Sequence, residues 1–195
     1  MGSPLDPEFC RRPAPMVAPD LLGMLLRAEG DAGEPVVGRI VEVEAYTGDD
    51  PASHSHRGPT DRNRTMFGPP GRLYVYFTYG MHWCANVVCG DEGSGEAVLI
   101  RALAPVSGLE QMRARRPRAR TDRDLCSGPA KLCQALAIDG SADASDVCGS
   151  GRVTVLDDGW RPAAVEASTR IGITRAVDRP WRWLVPDDPN VSRRA

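Results

Sequence analysis

The stretch Arg72–Leu103 decides the fold, because its sequence RLYVYFTYGMHWCANVVCGDEGSGEAVLIRAL places three β-like runs one after another. In the first run, Arg72–Tyr79, aromatic and aliphatic residues alternate in the way typical of a strand with two different faces. Two further runs, Cys84–Val88 and Ala97–Leu103, follow across a turn-rich segment. Because strands follow strands, the sequence predicts an antiparallel or mixed sheet and not a doubly wound parallel one.

Other strands and helices are predicted around these runs. Alternation predicts a strand over Val36–Ala45, with Glu42, Glu44 and the following Tyr46 on its polar face. With the helices, this gives a mixed α+β fold. The remaining predicted elements are a helix over 21–26 capped by Asp20, a helix opened by the capping box Ser107-x-x-Glu110 and ended by Pro117, a helix over 127–138 capped by Ser127, and short strands near 153–156 and 181–185.

The length of 195 residues predicts one domain, at about 150 residues per domain. Residues 1–15 are expected to be irregular, and residues 1–9, MGSPLDPEF, are typical of a cloning remnant, so the domain is assigned to residues 16–195. The sequence contains no apolar run long enough to span a membrane and no signal-peptide pattern. A cytoplasmic location without membrane contact is therefore expected.

The net charge of the chain argues against DNA binding, whereas the distribution of its arginines along the sequence does not. With 26 acidic and 24 basic residues the formal charge is −2, which excludes binding by bulk positive charge. Arginines nevertheless cluster at 57–72 and 113–123. The sequence therefore predicts a basic face on an acidic protein, with binding that weakens as salt rises.

The aromatic and histidine residues are concentrated in one part of the chain. All four tyrosines and all three histidines lie between positions 46 and 82, where Arg62 and Arg64 also lie. Aromatic faces interleaved with guanidinium groups suit stacking on bases and contact with phosphates. A sugar-binding cleft uses the same residue types, and ordinary strand packing is the simpler alternative.

Two carboxylates share the polar face of the predicted strand, namely Glu42 and Glu44. Either this face is solvated, or it lines a cleft in which one carboxylate acts as a base towards water.

The segment Ser127-Gly-Pro-Ala-Lys131 is a candidate phosphate contact, and Lys131 is the chain's sole lysine. Because no signal peptide points to an oxidising compartment, the six cysteines are expected to be reduced thiols. They include no Cys-x-x-Cys pair, so no metal site is expected.

Several segments together resemble the alkyladenine (3-methyladenine) DNA glycosylase family, from about Asp20 to Ser192. They are GRIVEVEAYTG at 38–48, ASHS at 52–55, RNRTMF at 62–67, PGRLYVYFTYGM at 70–81, ANV at 85–87, AVLIRAL at 97–103 and LCSGPAKLCQAL at 125–136. The resemblance implies a single domain built on a curved, open-barrel-like antiparallel sheet with flanking helices. It also implies excision of alkylated or deaminated purines from duplex DNA, without a cofactor, by a monomer associated with the nucleoid of a bacterium.

The resemblance also implies residue roles. Glu44 would activate water, and Arg101 would hold the flipped nucleotide or polarise the water. The remaining roles are a base pocket formed by Tyr46, His54, Tyr76 and Asn86, a minor-groove wedge at Tyr79 beside Met81, and backbone contacts by Ser127 and Lys131. By residue type, Arg62 and Arg64 are further candidates for contact with DNA.

Two other classes of function remain open from the residues. A non-catalytic protein that recognises damaged DNA would use the same aromatic residues but would not need Glu44. A carbohydrate hydrolase would need Glu42 and Glu44 on opposite sides of the scissile bond, whereas alternate residues of one strand are only about 6.6–6.8 Å apart. The glycosylase hypothesis is favoured over both.

Overall fold

The computed structural model describes residues 2–78, 80–149 and 151–192. In this part of the chain, one sheet contains nine strands, and every described pairing is antiparallel. The strands are β1 (Ser3–Pro4), β2 (Leu25–Ala28), β3 (Val36–Tyr46), β4 (Leu73–Thr78), β5 (His82–Cys89), β6 (Glu96–Ser107), β7 (Val153–Asp157), β8 (Glu166–Ser168) and β9 (Arg182–Leu184). The predicted antiparallel sheet is confirmed.

Short helices flank the sheet. They are α1 (Pro7–Cys10), α2 (Ala14–Leu21), α3 (Leu109–Arg115), α4 (Asp122–Cys126) and α5 (Pro129–Ala135), with 3₁₀ turns at Asp31–Gly33, Arg64–Phe67 and Gly140–Ala142. The fold is therefore the predicted mixed α+β domain, a curled half-barrel sheet with helices around it. No helix in the described ranges is long and apolar enough to cross a membrane.

Strands β3 and β6 form the centre of the sheet, which runs in the order β1-β7-β2-β3-β6-β5-β4. On its other edge β3 pairs first with β2 and then, over Glu42–Glu44, with β9. Helices α2, α4 and α5 pack on one face, where the apolar side chains of the strands form the main core. The opposite face carries a smaller cluster around Met66 and Tyr74, and this face holds the site described below.

Two irregularities in the β3–β6 pairing place charged side chains. The first irregularity is on β3: Ile40 pairs with Leu103 and Glu42 with Ala102, so Val41 has no partner on β6. The second is on β6: Val43 pairs with Ile100, so Arg101 has no partner on β3. Such bulges redirect a side chain and increase the local twist. Here they bring Arg101 between the carboxylates of Glu42 and Glu44.

The prediction that residues 1–15 are irregular is wrong for the described residues. Strand β1 pairs with β7, Leu5 and Cys10 are buried, and the Ala14 amide donates to Glu96 Oε2 at 2.8 Å. The apolar side chains of this segment pack into the main core, which composition alone did not indicate. The N-terminal segment is thus part of the same folded unit.

The helix predicted over 21–26 is also wrong. Helix α2 ends at Leu21, Gly23 takes a φ of +93°, and Leu25–Ala28 forms strand β2 between β3 and β7. The leucine-rich run is buried on both faces of a sheet, and such a strand has no periodicity that distinguishes it from a buried helix. Tertiary pairing decides the outcome here.

The predicted helix caps are wrong as well, although the helices they were meant to open are present. Gly108 and Gly128 are the N-cap residues of α3 and α5, while Ser107 still belongs to β6. The capping box of this region is Thr121 with Asp124, at the start of α4. The proline in the first turn of α5 is as predicted.

Candidate active site

A cavity of about 330 Å³ opens on the face of the sheet that carries Tyr74. Strands β3 to β6 form its floor, and the loop over 52–54 and the segment over 171–173 form its walls. The lining brings together all six residues that the sequence analysis singled out as catalytic or base-binding, and it adds Tyr74; the six are Glu44, Tyr46, His54, Tyr76, Asn86 and Arg101.

Glu44 is completely buried at the floor of this cavity. Its Oε2 accepts a hydrogen bond from the Tyr46 hydroxyl at 2.8 Å and pairs with Arg101 at 3.1 Å. Its Oε1 accepts one from the backbone amide of Ile171 at 2.7 Å. A carboxylate oxygen accepts up to two hydrogen bonds, so Oε1 keeps one acceptor position for a further donor such as water.

Glu42 has a different environment, although it is two residues away on the same strand. It is also completely buried, but it does not line the cavity. Its carboxylate accepts hydrogen bonds from Arg101 Nε at 3.0 Å, Arg182 Nε at 2.7 Å and the Ser192 amide at 2.7 Å. Glu42 therefore holds the arginines in place, and the carboxylate pair that a carbohydrate hydrolase would need is not present in this cavity.

Arg101 connects the two carboxylates. Its Nε donates to Glu42 while its Nη1 contacts Glu44, and the side chain is almost completely buried. Burial lowers the pKa of a guanidinium, but the two carboxylates, Glu44 first, more than offset this effect and raise the pKa of Arg101. Arg101 is therefore a permanent cation beside Glu44.

The aromatic side chains form one connected wall. Tyr74 and Tyr76 are stacked with centroids 5.4 Å apart, and His54 meets Tyr76 edge-on at 4.5 Å. Nδ1 of His54 lies 3.2 Å from the Tyr74 hydroxyl. Asn86, on the neighbouring strand, is buried and donates to the Tyr74 carbonyl at 3.1 Å. The wall offers flat faces to an aromatic guest.

The tyrosines and His54 are uncharged at neutral pH. Burial raises the pKa of Tyr74 to about 12, and it raises the pKa values of Tyr46 and Tyr76 as well. His54 lies at the mouth of the cavity, where loss of hydration against the tyrosines, together with the nearby Arg62, lowers its pKa from 6.5. The aromatic wall thus provides neutral, electron-rich surfaces.

The long loop that carries His54 is held by its own polar residues. Asn63 is buried, and its amide donates to the carbonyl oxygens of His54 at 2.8 Å and Gly58 at 3.1 Å. The Ser55 hydroxyl donates to the Gly95 carbonyl at 2.6 Å. These contacts fix the position of His54 relative to strand β4.

Arg170 is a structurally important residue that the sequence analysis missed. It forms a completely buried ion pair with Asp50, donates to the Ala45 carbonyl at 3.0 Å, and lies over the Tyr46 ring at 4.7 Å. The next residue, Ile171, supplies the amide that binds Glu44. Asp50 and Arg170 are far apart in sequence, so no local pattern links them.

The described residues among the predicted DNA contacts lie outside the cavity. Met81 is 67% exposed at the β4–β5 connection, and Tyr79 lies outside the described residues. Arg62 donates to the Phe77 carbonyl at 2.9 Å, while Arg64 pairs with Asp61. Nζ of Lys131 donates to the Ser127 hydroxyl at 3.1 Å in a separate cleft. Among the described residues no group of three or more His, Cys, Asp or Glu residues could hold a metal ion.

Comparison with known proteins finds the same family over nearly the whole chain. The profile of the family described as methylpurine-DNA glycosylase matches residues 8–189. A protein of Burkholderia lata named "Putative 3-methyladenine DNA glycosylase" is 55% identical over 98% of this chain and 92% of its own. Proteins with the same name from Nitrobacter winogradskyi and Carboxydothermus hydrogenoformans are 50% and 47% identical, over 94% and 97% of this chain and 84% and 99% of their own.

Proposed function

Since the chain belongs to the methylpurine-DNA glycosylase family, we propose that its cavity receives a damaged purine turned out of duplex DNA and that Glu44 activates the water that hydrolyses the glycosidic bond. The substrates are alkylated or deaminated purines of the 3-methyladenine, 7-methylguanine and hypoxanthine class. The observation that carries the proposal is the position of Glu44, buried at the floor of an aromatic cavity with one acceptor position left.

The aromatic wall suits a purine that has left the stack. A base inside a duplex is inaccessible, so unstacking must be offset by new contacts. Stacking on an aromatic side chain contributes about 1–3 kcal/mol per base. An alkylated purine that carries a positive charge gains about 0.5–2 kcal/mol more from the electron-rich ring faces. Tyr46, His54 and Tyr76 would supply these faces, and Asn86 would contact the edge of the base.

Hydrolysis then needs one base and one stabilising anion, and Glu44 can act as both. Glu44 takes a proton from water as the water oxygen bonds to C1′ of the deoxyribose. The bond from C1′ to the purine nitrogen breaks, and its electron pair leaves with the base. A cationic alkylpurine thereby departs as a neutral molecule. The anionic carboxylate also stabilises the oxocarbenium-like transition state, while Arg101 orients Glu44.

The product is expected to be an intact strand with an abasic site. Cleavage of the strand would require an amine that forms a Schiff base with C1′. Lys131 is the sole lysine of the chain, and its Nζ contacts Ser127 outside the cavity. The enzyme is therefore proposed to be monofunctional.

The residues around the cavity complete the proposed complex. Tyr79 would fill the gap that the extruded nucleotide leaves, with Met81 beside it, and Arg62, Arg64, Ser127 and Lys131 would contact the DNA backbone. The protein would act as a monomer on the chromosome, in the cytoplasm and associated with the nucleoid.

The proposed activity is tested with duplex oligonucleotides that each carry one hypoxanthine, ethenoadenine or methylated purine. We expect wild-type protein to generate alkali-labile sites at the lesion and no strand breaks before alkali. Lys131→Gln should leave the product an abasic site, because no step uses the amine. Folded wild-type protein that produces no alkali-labile site on any of these duplexes would overturn the proposal.

A pH-dependent choice between lesions should follow from His54. Because its pKa is lowered from 6.5, His54 is neutral at pH 7 and becomes a cation only at more acidic pH, where it repels a cationic guest. The ratio of excision rates for 7-methylguanine over hypoxanthine should therefore fall as the pH drops below 7. Protonation of the catalytic base lowers the excision rates of both lesions by the same factor, so it does not change their ratio. His54→Gln should remove the fall, and His56→Gln, at a neighbouring residue that does not line the cavity, should not.

A further inference from the structure

A second cleft, of about 580 Å³, adjoins the wall of the base cavity. It lies between helix α5 and the segment after α3, and Pro129 lines both the cleft and the cavity. The other lining residues are His82, Arg116, Pro117, Arg118, Gly128, Ala130, Lys131 and Gln134. Three cations thus share one cleft, and no described carboxylate lines it.

The four arginines at 113–118 fall into two groups. Arg113 forms an ion pair with Asp122 at 2.8 Å, and Arg115 forms one with Asp31 at 3.0 Å. By contrast, Arg116 and Arg118 form no ion pair with any described residue, and Nε of Arg116 is buried without a hydrogen-bond partner. Arg113 and Arg115, outside the cleft, are thus paired with carboxylates, whereas Arg116 and Arg118 inside it have no direct ion pair among the described residues.

The polar neighbours keep the cations in place without neutralising them. Nη1 of Arg116 donates to the side-chain oxygen of Gln134 at 3.0 Å, and Gln134 in turn donates to the Arg115 carbonyl at 2.9 Å. Nζ of Lys131 donates to the Ser127 hydroxyl at 3.1 Å, which leaves two of its three protons for another acceptor. Burial lowers the pKa of Arg116, and the opposing effects of Cys126 and Asp124 offset this only in part. Clustered cations of this kind are stabilised by a bound anion.

We propose that this cleft binds a phosphodiester of the DNA strand that carries the lesion, next to the extruded nucleotide, with Arg116 and Arg118 as contacts in addition to Lys131. The inference rests on the proposed function, because the shared Pro129 connects the cleft to the base cavity. Arginine suits this ligand, since its guanidinium can donate two hydrogen bonds to one phosphate. The Arg113–Arg123 segment thereby gains a specific role on an acidic protein.

The contact is tested by combining Arg118→Gln with single charge-neutral methylphosphonate linkages, placed in turn at each of the three phosphates on either side of the lesion. For wild-type protein, one of these linkages should weaken binding by about tenfold, the size of one hydrogen bond between charged groups. For Arg118→Gln the same linkage should have little effect, because the contact is already lost. Arg118→Gln should also reduce the slope of log Kd against log salt by about 1.

Arg113→Gln is the matched control, because Arg113 lies on the same segment but pairs with Asp122 outside the cleft. It should leave the salt slope and the methylphosphonate pattern as in wild type. Equal losses of binding affinity for Arg113→Gln and Arg118→Gln would overturn the proposed phosphate contact. So would additive effects on binding of Arg118→Gln and every methylphosphonate linkage. The proposed function is judged separately, by whether wild-type protein excises the lesion. If it does, but the effects of Arg118→Gln and of every linkage are additive, only the proposed phosphate contact is rejected. If wild-type protein does not excise the lesion, the proposed function is rejected.

Discussion

Glu44→Gln is expected to lower the single-turnover rate of base excision by about 10²–10⁴, the range of a general base in catalysis. Glutamine keeps the size of the side chain, and its oxygen can still accept from the Ile171 amide, but it cannot take a proton from water. Because stacking on the aromatic wall is unchanged, Kd for the lesion duplex should stay within a few-fold of wild type. Both quantities are measured with enzyme in excess over DNA.

Glu44→Asp separates charge from geometry in the same assay. It keeps the carboxylate but withdraws it from the contacts with Tyr46 and Ile171, so its rate should lie between those of wild type and Glu44→Gln. A non-catalytic role in recognising damaged DNA predicts binding without base release in all three proteins. If Glu44→Gln excised the base as fast as wild type, Glu44 would not be the residue that activates water, even though the protein would still be a glycosylase.

Asp50→Ala is expected to lower the free energy of unfolding by about 3–5 kcal/mol, because it leaves the buried Arg170 charge without its partner. For a chain of this size, about 2–4 °C per kcal/mol gives a fall in Tm of roughly 6–20 °C. The Arg170 guanidinium also lies over the Tyr46 ring, and Arg170 directly precedes Ile171, whose amide binds Glu44, so loss of order should extend to the cavity. Thermal unfolding followed by circular dichroism measures the effect.

Asp49, the residue before Asp50, provides the control. Asp49 is 77% exposed and lies 3.8 Å from Arg179, so Asp49→Ala should change the free energy of unfolding by no more than about 0.5 kcal/mol. Equal effects of the two substitutions would mean that the Asp50–Arg170 pair is not buried in the folded protein.

The sheet and much of the cavity lining could be predicted because both rest on local patterns. Alternation in β3 and β4 placed Glu44 and Tyr46 on one strand and Tyr74 and Tyr76 on another, and the strand pairing brings these faces together. Consecutive strands without long connections indicated antiparallel pairing. The family resemblance then named the same residues as a site.

The rest depends on contacts between distant parts of the chain. Glu42 and Glu44 look equivalent in sequence, yet Arg182 and the Ser192 amide bind Glu42 whereas the Ile171 amide binds Glu44, and no local pattern signals this difference. Two bulges place Arg101 between the carboxylates, although a regular pairing would direct it elsewhere. Arg170 and strand β2 were missed because partners more than a hundred residues away hold both in place.

The central claim, that this cavity removes a damaged purine by hydrolysis, is tested most directly by identifying the released base. Duplex DNA methylated on its purines is incubated with excess protein, and the soluble products are separated and identified by mass spectrometry. We expect free 3-methyladenine or 7-methylguanine from wild-type protein, and release from Glu44→Gln slowed to near the rate of spontaneous loss. Release of no free base by wild-type protein that binds the same DNA would contradict the account.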